Sequence, residues 1–186
     1  MTSDNFNAIS LYNQAVDKAN AGRFAEAVNL SGQALSIQPN FTLAQITHAG
    51  ALMELGRMEE AKTILDTALH THPENPSIMV AISSYYLKTG DAKMAYSFAD
   101  KAITLDPSIV EAWILKGTAS GELGNFQEEL NASNQALLVE PGNQLAQTNK
   151  DYAINMMKNK KTPINVVTPL MALGIFAILI ASKRRE

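Results

Sequence analysis

Side chains able to do chemistry are few in this chain, and they do not converge. The only imidazoles are His48, His70 and His72, and only His70 and His72 lie close together. A zinc site needs three or four ligands, but Glu74 is the sole nearby carboxylate, and Pro73 marks the pair as part of a turn. With no cysteine, the chain has no thiol nucleophile, thiolate metal site or disulfide. The stretch GTASGELG from Gly117 to Gly124 is glycine-rich, yet it lacks the preceding strand that a phosphate-binding loop requires. The acidic pairs Glu59-Glu60 and Glu128-Glu129 fall where helices are expected to begin, and there carboxylates suit the helix dipole. No nucleophile elbow or paired-acid motif is present, so the chain reads as a non-enzyme that needs no cofactor and no metal.

What does recur is punctuation. Glycine stands at Gly22, Gly56, Gly90 and Gly124, proline at Pro39, Pro73, Pro107 and Pro141, and alanine at Ala34, Ala68, Ala102 and Ala136. Three residue series share a spacing of 34, the period of a stacked helix-turn-helix repeat. Each residue type has its own reason. Glycine accepts the left-handed conformation that ends a first helix. Proline cannot continue a second helix. Ala27, Ala61 and Ala95 open a buried stripe that reaches the second alanine series seven residues later. In the fourth copy Glu129 replaces that first alanine, and a carboxylate in a helix crossing is costly. The expectation is that this helix rotates slightly or that Leu130 takes the buried place.

The segments AGRFAEAVNLSGQALSIQPN, LGRMEEAKTILDTALHTHPE, TGDAKMAYSFADKAITLDPS and LGNFQEELNASNQALLVEPG resemble the tetratricopeptide repeat family, with Trp113 matching its preferred tryptophan. The resemblance implies an all-α protein, an α-solenoid of four helix-turn-helix repeats at 8–41, 42–75, 76–109 and 110–143, after an N-terminal segment 1–7. A helix at 144–158 follows, with Leu145, Thr148, Tyr152 and Met156 at helical spacing, and it would cap the last repeat. The repeat register implies a concave, partner-binding groove made by the first helices. Its expected members are Tyr12, Val16, Leu43, Ile46, Met53, Val80, Ser84, Leu87, Ile114 and Thr118. Glu111 is the only charge on that face. The family's clamp for chaperone C-terminal carboxylates would require basic and amide side chains where this chain has Tyr12, Val16, Ala81, Glu111 and Leu115, so it is not a chaperone carboxylate clamp. An apolar face with a hydroxyl fringe suits an apolar peptide or an amphipathic helix as protein partner. Packing between neighbouring first helices, or occupation by the N-terminal segment around Phe6, would also account for the apolar character.

Charge and hydropathy then separate the body from the tail. Residues 1–157 carry 9 Lys and Arg against 17 Asp and Glu, whereas 158–186 carry 6 against 1. An acidic body argues against nucleic acid as a partner, because phosphate contacts need clustered Lys and Arg. Ile164 to Ser182 is a run of 19 uncharged residues between a basic linker, 159–163, and a basic tail, 183–186. That length as a helix is just enough for a bilayer core, which needs about 20 apolar residues. Residues 164–182 are therefore expected to be a transmembrane helix in a lipid bilayer. The beginning of the chain has no basic region followed by an apolar run, so no secretory signal is expected. This arrangement resembles a tail-anchored protein with its repeats facing the cytoplasm. The function expected is a membrane adaptor or receptor. The alternatives are a self-associating membrane scaffold and a surface protein held by a C-terminal sorting-type anchor.

Overall fold

The computed structural model describes residues 3–159, which form nine α-helices and no strand. These are α1 (Ser3–Asn20), α2 (Phe24–Ile37), α3 (Thr42–Glu54), α4 (Met58–Thr71), α5 (Pro76–Thr89), α6 (Ala92–Leu105), α7 (Val110–Glu122), α8 (Phe126–Val139) and α9 (Gln144–Lys158). Short turns separate them, and the expected punctuation sits in those turns. Gly22, Gly56, Gly90 and Gly124 take φ of 72°, 74°, 82° and 76°, the left-handed region that a Cβ disfavours. At the second of these turns the Gly56 amide donates to the Met53 carbonyl at 3.1 Å and the Arg57 amide to Leu52 at 2.9 Å, closing the end of α3. The second helices stop two residues before Pro39, Pro73, Pro107 and Pro141. Asp91, Asn75 and Asn143 cap helix starts with their side-chain oxygens, as at Met94 N, 3.0 Å from Asp91.

The described residues fall into two compact units, one ending at Ala81 and the other beginning at Ile82 within α5. In the first unit α1 packs on α2 and α3, α2 on α3, and α3 on α4. Ala27, Ala34, Ala61 and Ala68 are fully buried there, together with Leu52 and Leu65. The Tyr12 and Phe41 rings meet at 5.0 Å between centroids. In the second unit α6 packs on α7, α7 on α8, and α9 on both α7 and α8. Its core joins Val110 and Ile114 to Ala136 and Ala146, with Trp113, Leu137 and Leu145 packed against them. Tyr86 and Phe98 stack at 5.8 Å between α5 and α6.

The GTASGELG stretch lies in α7 and the turn after it. Among the described residues, no helix is long and apolar enough to cross a membrane. The apolar run 164–182, most of the basic linker and the basic tail lie outside the described residues.

Candidate functional site

The first helices carry the residues expected to make a groove, and the structure places most of them inside. In the first unit Val16, Ile46, Met53 and Val80 are buried, while Tyr12 and Leu43 are half-buried. In the second unit Ser84, Leu87, Ile114 and Thr118 are all buried. Thr118 has its hydroxyl committed, donating to the Ile114 carbonyl at 3.0 Å and accepting from Asn149 Nδ2 at 2.9 Å. Tyr12 and Leu43 are thus the two expected groove residues with side-chain surface still available.

The expectation for the fourth repeat needs correction. Helix α8 keeps its register: Leu130 is half-buried, and Glu129 occupies the place of Ala27, Ala61 and Ala95 with 0% of its surface exposed. Neither carboxyl oxygen has a hydrogen-bond partner, and burial pushes the carboxyl up to about 8. Nor is Glu129 a solvated acid at a helix start, unlike Glu60, which pairs with Arg57 at 2.7 Å. Room for the buried acid comes from Gly121 on α7. A Cβ there would stand 2.6 Å from Glu129 Oε2. Sequence reading missed this pair, although its signal was present. Where the other copies set Ala19, Met53 and Leu87 against alanines 27, 61 and 95, the fourth sets Gly121 against Glu129.

A second polar group ties α6, α7 and α8 together. Lys116 Nζ lies 2.8 Å from Asp100 Oδ1 and 3.2 Å from Glu128 Oε1, while the Tyr96 hydroxyl donates to Glu128 at 3.4 Å. The ammonium also sits 5.1 Å from the Tyr96 ring centroid and 5.8 Å from that of Trp113. Burial alone would lower its pKa, but the two carboxylates outweigh that and hold it well above the ordinary lysine range. Every member of this cluster has a partner within it, so it reads as a staple between helices.

The histidines separate. His48 on α3 bonds Ser31 Oγ of α2 through Nδ1 at 2.8 Å, and burial lowers its pKa. His70 is exposed, and His72 Nδ1 lies 3.5 Å from Thr42 Oγ1. Among the described residues, no group of three or more His, Asp or Glu could hold a metal ion. A shallow depression of about 490 Å³ lies at the α5–α6 turn, lined by Thr89, Asp91, Lys93 and Glu122 among others. Burial raises the Glu122 carboxyl there above the ordinary glutamate value.

Alternating antiparallel helices of this length, closed by left-handed glycines, define a helical-repeat protein. Family models described as tetratricopeptide repeat match residues 18–79 and 76–109. Solved structures agree on the fold. MamA 41-end from Desulfovibrio magneticus RS-1 is 17% identical with a TM-score of 0.66, the alignment covering 100% of this chain and 98% of that one. A tetratricopeptide repeat protein from Parabacteroides merdae is 18% identical, with a TM-score of 0.63 and coverage of 97% and 68%. YrrB, described as having an unusual peptide-binding site, is 19% identical, with a TM-score of 0.59 and coverage of 96% and 92%. No curated protein matches the sequence.

Proposed function

We propose that this protein is a membrane-held adaptor whose repeats capture a protein partner on the first-helix face. The observation that carries the reading is the tetratricopeptide repeat match, on a fold shared with a protein described as peptide-binding. Tyr12 and Leu43, half-buried on α1 and α3 beside Phe41, are the contact residues in the first unit. Val16, Ile46, Met53 and Val80 hold that face in place from beneath; Ser84, Leu87, Ile114 and Thr118 do the same in the second unit. A small apolar surface of this kind fits one turn or two of an amphipathic helix better than a charged tail. The apolar run 164–182 supplies the bilayer anchor, and confinement at a surface raises the effective concentration of any partner anchored there.

The test has two arms. Full-length protein should float with liposomes through a density gradient and resist alkaline extraction, and a chain lacking 164–186 should remain at the bottom. Photo-crosslinker placed at Leu43 or Tyr12 should capture a partner protein in lysate of the source organism. A crosslinker at the exposed second-helix residue Thr67 serves as control, and capture equal to that at Leu43 would sink the groove reading.

The alternative, a self-associating scaffold, is favoured by two large apolar side chains left in solvent, Phe6 at 70% and Leu138 at 73% exposed. Sedimentation of the detergent-solubilised chain decides between them: a monomer excludes the scaffold, and an oligomer dispersed by Leu138→Glu supports it.

A further inference from the structure

The second unit contains an ionisable group that its surroundings leave uncompensated. Glu129 is wholly buried, both oxygens lack partners, and all three atoms of its carboxyl group would lie within 2.8 Å of a Cβ at position 121. The carboxyl therefore fills space that Met53 or Leu87 supplies at the matching position of the second and third copies. Gly117, one turn earlier on α7, extends the close fit: a Cβ there would meet Ser133 Oγ at 3.5 Å and the Glu129 carbonyl at 3.6 Å. We propose that Glu129 is a proton-operated latch: as a neutral acid it fills the seam between α7 and α8, and when it ionises it releases α8 from the glycine face of α7.

The charges around the seam offer the ionised form nothing. On α8 itself Glu128 is held by Lys116 and Tyr96. From α7 the titratable groups are Glu111, Lys116 and Glu122, and from α6 Lys93, Tyr96, Asp100 and Lys101. From α9 they are Lys150, Asp151, Tyr152 and Lys158. Lys116, the cation built into the seam, is already engaged by two carboxylates. An ion stripped of water without a compensating donor is strongly disfavoured, so the carboxyl keeps its proton or the helix opens to admit water.

The direction with pH follows from where the proton sits. The unfolded chain releases it near the ordinary value of 4.5, whereas the folded chain retains it to about 8. Stability contributed by the neutral acid is complete below the lower value, declines as pH rises between the two, and is fully lost above the higher one. Within that window one proton separates the states, so the unfolding constant of the second unit should rise by about tenfold per pH unit from this group.

Trp113, the single tryptophan, lies on α7 and reports on this unit in the intact chain. Denaturant titrations followed by its fluorescence, from pH 5 to 9, should show the unfolding constant climbing steeply in the natural protein. Glu129→Gln keeps the shape but cannot ionise, and its profile should lose that climb. If the amide fails to fold, the pair Glu129→Ala with Gly121→Leu restores the Ala95–Leu87 arrangement of the third copy and supplies the non-ionising reference. Carbon-13 observation of the Glu129 carboxyl gives an independent reading: a midpoint well above the ordinary glutamate range supports the latch. A midpoint near 4.5, or a natural protein whose pH profile matches that of the non-ionising variants, overturns it.

Discussion

His48 shows how burial sets the cost of a proton. Ser31 Oγ lies 2.6 Å from the Ala27 carbonyl and 2.8 Å from His48 Nδ1, so the half-buried imidazole is tied to α2. A proton on this half-buried ring puts a charge where water is largely excluded, and the cost is desolvation. Burial accordingly lowers the His48 pKa from 6.5. The unfolded chain takes up this proton first, so stability of the first unit is retained above the ordinary histidine value and lost as pH falls below it. His48→Gln should flatten that acid limb in thermal melts between pH 7 and 5; an unchanged limb would show that other groups cause it. Gly121→Ala tests the other buried site. Its methyl group must displace a carboxyl with no free space, so a loss of about 1–3 kcal/mol is expected. Adding Glu129→Ala should recover much of it, because the two positions are in contact and their effects are not additive. Glu129 was legible as a departure from the alanine series, and Gly121 only as a glycine of GTASGELG. Their compensation was not, because residues eight apart meet only once the turn at Gly124 brings the two helices face to face.

At the scale of elements, the glycine and proline periods mark where the helices stop, whereas α1 starts at Ser3, inside the expected N-terminal segment 1–7. Glycine and proline act through backbone geometry, which needs no knowledge of neighbours. Gly56→Val is a clean check, because no heavy atom lies within 4 Å of the Cβ it would gain, and the expected cost is purely conformational. A branched side chain at φ 74° should cost about 1–2 kcal/mol. Loss of helicity out of proportion to that figure would mean the turn has a role beyond its dihedral angle. The groove was less legible, for a physical reason. A 3.6-residue period gives the direction in which a side chain leaves its helix but not how closely a neighbour covers it. Val80 and Ile46 share their direction with Leu43, yet the first two are buried. Glutamate at Ile46 or Val80 should therefore unfold the first unit, by 3 kcal/mol or more as a rough magnitude for an unpaired buried charge. Leu43→Glu should leave circular dichroism unchanged and still abolish partner crosslinking at Tyr12.

For the whole molecule, the buried titratable groups lead to opposite expected responses to protons in the two units. The first contains a half-buried imidazole that resists gaining a proton; the second contains a buried carboxyl that resists losing one. Acidification should thus loosen α2 and α3 first, and alkalinisation α7 and α8 first. Each effect arises from a group confined to one unit, so neither requires the other to respond. Amide hydrogen exchange on the full chain separates them, provided protection is corrected for the intrinsic pH dependence of exchange. Between pH 7 and 5, protection should fall in Thr42–Glu54 and hold in Phe126–Val139; between pH 7 and 9 the pattern should reverse. The double variant His48→Gln with Glu129→Gln should hold its protection across both ranges. Net charge cannot produce this division, since self-repulsion from an acidic body grows with pH in both units alike. If both units lose protection together at either end, the titration belongs to the molecule's overall charge, and the two buried groups are passengers in it.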